Sequence, residues 1–123
     1  MAKYEHLPIF RKATELTVYL ENAVRGFSRY QKYSIGERLR QTSWDLLMLI
    51  VRANNEDIDE RFDLLSALRE KGQEMRITLD IANELGAFPK KNAYPYSARL
   101  AVEINRQSEG WLKSVRGRSL PES

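Results

Sequence analysis

From Ile58 to Leu85 apolar or small residues return every three or four positions, through Phe62, Leu65, Leu68, Gly72, Met75, Leu79 and Ala82. That interval is the mark of an α-helix burying one side, and a run so long excludes a strand, whose side chains alternate at every second residue. Three further stretches carry the same period. Ile9, Ala13, Leu16, Leu20, Ala23, Val24 and Phe27 define a helix over 8–27, with Pro8 in the first turn, where a missing N–H costs nothing. A second runs from Ser34 to Ala53. The last runs from Tyr94 to Val115 with Ala98, Ala101, Ile104, Ser108 and Trp111 on one face. Four such helices on short connections predict an all-α, antiparallel up-down-up-down four-helix bundle. The 123 residues read as one domain over 1–116, with the polar 117–123 expected to be a mobile tail.

The punctuation agrees with these boundaries. "SIGE" at 34–37 has the form of a capping box, in which Ser34 accepts from the Glu37 N–H while the Glu37 carboxylate reaches back. Asp57, Asp59 and Glu60 favour the positive end of the third helix. Gly86 fits the left-handed position that closes it, and "AFPKKNAYP" follows as the Pro-punctuated loop.

With no cysteine and one histidine, His6, the chain offers no disulfide, thiol nucleophile, zinc site or His-dependent triad. The start "MAKYEHLPIF" lacks a signal-peptide core, and the longest apolar run, "LLMLIV" at 46–51, is too short to span a bilayer. A soluble, cytoplasmic protein with no membrane partner is expected. Asp59/Asp63 and Glu70/Glu74 are carboxylate pairs at i, i+4, but Arg61, Arg69, Lys71 and Arg76 beside them offer ordinary ion pairs. Phosphate-cradling loops and nucleophile elbows are absent. A non-enzyme is expected, with no metal, cofactor or small-molecule substrate.

The net charge of +3 conceals a separation: residues 1–55 hold nine Lys/Arg against five Asp/Glu, residues 56–86 four against nine, and residues 87–123 seven against three. Such a layout steers an anionic partner to one face. Arg99, Arg106 and Lys113 are seven apart on the fourth helix, and Arg116 and Arg118 extend the row. Arg25, Arg29 and Lys32 end the first helix and enter the loop, and Arg38 and Arg40 begin the second. Arginines grip phosphates bidentately, and Tyr30 and Tyr33 can stack on unpaired bases. Equally, the tyrosines can cover the bundle end, and Arg25 or Arg29 can serve the helix terminus. The second helix is apolar nearly all round at 46–51, so Leu47, Met48 and Val51 are left over as an oligomer interface, unless that helix is central in an asymmetric bundle.

Four segments carry a family resemblance: "LPIFRKATEL", "FSRYQKYSIGERL", "DLLMLIVRAN" and "INRQSEGWLKS", in that order. Together they resemble the small four-helix-bundle family that includes the accessory variability determinants of diversity-generating retroelements and the proteins encoded in 23S ribosomal RNA intervening sequences. "LLSALREKGQEMRITLDIANELGAF" is similar to the long charged third helix of the retroelement branch. The resemblance implies a homopentameric barrel with a basic surface. It implies a non-catalytic subunit that binds the reverse transcriptase and template RNA, and with it cDNA, in mutagenic cDNA synthesis. It implies contacts through "SRYQKYSIGERLR" and "GWLKSVRGR". A stand-alone RNA-binding protein tied to ribosomal intervening sequences, and a purely structural oligomeric module, are the alternatives.

Overall fold

The computed structural model describes residues 3–55 and 57–119, apart from the side chains of Lys3, Ile58, Arg118 and Ser119. After a single 3₁₀ turn at Lys3–His6, the described residues form α1 (Pro8–Val24), a one-turn α2 (Arg29–Lys32), α3 (Ile35–Asn55), α4 (Ile58–Glu84) and α5 (Ala93–Ser119). The four long helices close a ring: α1 packs on α3 and α5, and α4 packs on the same two. Neighbours run antiparallel, since contacts pair rising with falling numbers. Thr17 meets Ser43 and Glu21 meets Arg40; Asp45 meets Lys71 and Arg38 meets Glu74; Arg69 meets Glu109 and Tyr94 meets Asp80. No helix among the described residues is long and apolar enough to cross a membrane.

The stripes read from the period lie mainly on the ring's inside, although on α5 Ala98 and Trp111 are only half-buried and Ser97, Leu100 and Leu112 beside them point fully inward. Leu16 and Leu20 meet Leu39, Leu46 and Ile50, then Leu65, Leu68, Met75 and Leu79, and finally Ile104 and Leu112, all essentially without solvent exposure. Burying a side chain of this size is worth about 1.5–3 kcal/mol. Of the polar side chains inside this wall, Thr17 bonds to the Ala13 carbonyl at 2.8 Å and Thr78 to the Glu74 carbonyl at 2.7 Å, whereas the buried hydroxyls of Ser97 and Ser108 have no partner among the described residues.

Several boundaries differ from expectation. α1 stops at Val24, and the chain turns at Gly26 so that Phe27, although outside the helix, is still buried. The capping box does not form. Ser34 Oγ donates to the Tyr30 carbonyl at 2.8 Å, continuing the turn of α2, while the Glu37 carboxylate is held by Arg40 at 2.8 Å. Ser28 is the cap that forms, its oxygen accepting from the Gln31 N–H at 3.3 Å. Leu85, expected in the seam, is exposed because it caps α4 instead of lying within it. α5 continues to Ser119, past the expected Val115, so Gly117 to Ser119 of the expected tail are helical. The remaining tail residues, 120–123, lie outside the described residues.

The end of α4 is fixed by its backbone. Gly86 has φ +66°, and the N–H groups of Gly86 and Ala87 donate to the carbonyls of Asn83 and Ala82, each at 3.0 Å. This is the paired closure that a left-handed residue permits, and a Cβ there is strained. Gly86→Ala should therefore lower stability by about 1–2 kcal/mol. Gly110→Ala, in an exposed turn of α5 with no atom near the added methyl, should raise it by about 0.5–1 kcal/mol. Urea unfolding of the two variants reads both signs.

Candidate nucleic-acid interface

Antiparallel alternation puts the first and third connections at the same end of the bundle. There, residues 25–34 lie against residues 85–92. Gln31 Nε2 donates to the Leu85 carbonyl at 3.1 Å, and the Phe27 and Phe88 rings meet edge to face at 5.2 Å. Gly36 lets α3 start hard against this turn: a Cβ on it would lie 2.7 Å from Val24 Cγ1 and 2.9 Å from the Gln31 carbonyl. The end is thus covered by Phe27 and Phe88, not by the tyrosines. Tyr30 is 81% exposed and Tyr33 73%, and both line a shallow surface with Arg29 and Ser34.

At this end of the bundle stand five cations that form no ion pair among the described residues: Arg25, Arg29 and Lys32 from the first connection, with Arg29 beside the tyrosines, and Lys90 and Lys91 from the third. The two lysines escaped the sequence reading, although "PKK" sits in a loop that topology assigns to this end. Arg38 borders the cluster and reaches Glu74 only at 3.7 Å, with its side chain 65% exposed.

The other candidate cations are placed differently. Arg40 is drawn to the flank of the bundle, where Nε lies 3.1 Å from Glu21 and Nη1 2.8 Å from Glu37. Trp44 Nε1 donates to the second Glu21 oxygen at 3.2 Å, so Glu21 is shared by two side chains of α3. On α5, Arg99 lies 5.9 Å over the Tyr96 ring at the end nearest the basic cluster. Arg106, midway, is bonded by Nε and Nη2 to Glu103. Arg116 sits 5.7 Å over Phe62 at the far end, one turn beyond Lys113. Arg99 and Arg116 are roughly 25 Å apart along the helix, so the row spans the bundle instead of forming one patch. The side chain of Arg118 lies outside the described residues.

The acidic α4 spends charge on its neighbours. Glu74 takes Lys71 at 3.2 Å, Arg38, and the Thr42 hydroxyl at 3.2 Å. Lys71 also faces Asp45 at 3.5 Å. The hydrogen bond to Glu74 raises the Lys71 ammonium above its ordinary 10.5 despite some desolvation, so this pairing is intact below that pH and fails as pH rises beyond it. Among the described residues no group of three or more His, Asp or Glu side chains is placed to hold a metal ion.

The outer side of α3 is open, because α3, like each of the other long helices, packs on just two of them, here α1 and α4, and is not central. Met48 is half exposed and Trp44, one turn earlier, matches it, whereas Leu47 and Val51 are half-buried and Leu47 already packs on the core. Ile77 and Ile81 on α4, outside the periodic seam, form a second exposed apolar pair. No protein-family model matches the chain, and no curated protein matches it.

Glu103 offers a direct check on which cations are engaged. Hydrogen bonds from Arg106 first, and Gln107 second, hold its carboxyl at about 2, below the ordinary 4.5. A depressed carboxyl pairs fully above its ordinary value and loses that pairing as pH falls through the depressed one. Arg106→Gln should move the Glu103 midpoint back toward 4.5 in a carbon-detected NMR titration, with helicity at neutral pH unchanged.

Proposed function

We propose that the chain is a non-catalytic accessory subunit that binds single-stranded RNA at its basic end and works beside a reverse transcriptase in mutagenic cDNA synthesis. The observation that carries the RNA half is the set of cations without an ion pair among the described residues, Arg25, Arg29, Lys32, Lys90 and Lys91, at the same end of the bundle as the exposed rings of Tyr30 and Tyr33. Guanidinium and ammonium groups neutralise phosphates, and uncovered aromatic faces accept unstacked bases. A cation already held by a carboxylate must first give up that partner, so Arg40 and Arg106 are weaker contributors than Arg29 or Lys32. The polymerase and retroelement half is supported by the sequence likeness of "FSRYQKYSIGERL" and the long charged helix. Self-association, with five copies as the resemblance implies, is supported by the uncovered Trp44 and Met48 on α3, at a face distinct from the basic end.

RNA binding should weaken steeply with salt, since each phosphate neutralised on a single strand contributes about 0.7 to the slope of log affinity against log salt. The triple variant Arg29→Glu, Lys32→Glu, Lys90→Glu should lower that slope by about 2 in fluorescence anisotropy with an unstructured oligonucleotide. An unchanged slope would remove the basic end from the reading. Co-purification of a reverse transcriptase from cells expressing both proteins tests the polymerase half, and Met48→Lys should reduce the sedimenting mass without disturbing RNA affinity.

A further inference from the structure

Beside the basic end, α1 and the connection into α5 enclose a cleft of about 250 Å³, walled by Tyr19, Asn22, Ala23, Gly26, Lys90 and Ala93. We propose that this cleft receives one unstacked nucleobase of the RNA strand, an inference that rests on the RNA reading above and assigns it a specific pocket.

Its size favours a fragment over a whole small-molecule ligand, for which sites run about 300–1,000 Å³. Three chemically distinct groups converge on it. Tyr19 supplies an aromatic wall whose ring is already fixed, 4.5 Å from Tyr96 at a tilt of 47°, with Tyr96 anchored through its hydroxyl to Glu15. Asn22 presents an amide with both donor and acceptor, and among the described residues it makes no side-chain hydrogen bond. Lys90 lines the cleft with a side chain whose ammonium forms no ion pair among the described residues. Stacking surface, base-edge hydrogen bonding and a cation for the adjoining phosphate are the three elements that single-strand recognition combines. The remaining walls are small. Gly26 faces Pro89, another wall of the cleft, so closely that an added Cβ would stand 3.2 Å from Pro89 Cγ, and any larger residue there must push Pro89 aside or intrude on the space.

The test uses the full chain labelled for amide NMR and four ribonucleoside 5′-monophosphates as probes, with ribose 5-phosphate as the base-free control. Saturable shifts at Asn22, Ala23, Gly26 and Ala93 with at least one nucleotide, absent with ribose 5-phosphate, support the pocket. Equal shifts with both would overturn it in favour of a phosphate contact alone, and no shift would overturn it outright. Asn22→Leu, an exposed substitution, should weaken the nucleotide tenfold or more, and Gly26→Val should abolish the shifts by filling the cleft. An oligonucleotide series then separates the two proposals. If salt-sensitive RNA binding persists while the cleft amides stay silent and abasic substitution at every position changes nothing, the pocket is wrong and the basic end stands. If mononucleotides fill the cleft but oligonucleotides do not bind, the pocket stands and the RNA reading falls.

Discussion

A helix with one apolar stripe must have that stripe covered along its length, and a ring of four helices around a shared core does this for every member at once. Leu20, Leu46, Leu79 and Ile104, one from each long helix, lie in a single buried cluster, so no helix can shift alone without exposing several others. The ring also dictates where everything else goes. Connections fall at the two ends, and alternation of direction sends the first and third to the same one. Arg29 and Lys90, sixty-one positions apart in the chain, belong to one surface because of the core and not because of any contact between themselves.

Pairing decides which cations that surface can offer. The chain has more basic than acidic residues, yet the surplus is unevenly available. Glu21 and Glu37 occupy Arg40, Glu103 occupies Arg106, and Phe62 lies under Arg116. At the end formed by residues 25–34 and 85–92, Arg25, Arg29, Lys90 and Lys91 are exposed and Lys32 is half-buried. α4, the most acidic helix, is stitched to α3 through Glu74, Lys71 and Asp45, and to α5 through Arg69 and Glu109. Glu74, Lys71 and Arg69 therefore serve the bundle's own seams.

The helices were legible because burial imposes a period, and Gly86 was legible because closing a helix needs a conformation that glycine adopts freely. What sequence could not supply was the identity of facing groups. Arg40 meets Glu21 across two helices, a contact that no spacing rule contains, whereas Arg106 and Glu103 are three apart on one helix and were readable. Ser34 and Glu37 had the right spacing for a cap. The extra turn of α2 had already offered the Ser34 hydroxyl a carbonyl, and Arg40 had taken the carboxylate. Lys90 and Lys91 were missed for want of a topological step: two loops on the same end form one surface. The cleft beside Tyr19 was not readable at all, since it exists only where Pro89 closes over Gly26.

The bond from Gln31 to the Leu85 carbonyl ties the two connections into one body, with Phe27 and Phe88 locked beneath it. Flexible arms that close on a ligand must surrender freedom at the moment of contact. Here that ordering is completed when the chain folds, so a strand laid across both connections meets an arrangement already fixed. Entropy is thus a reason for the tether, and an affinity measured at this end reads its chemistry with little penalty for rearrangement.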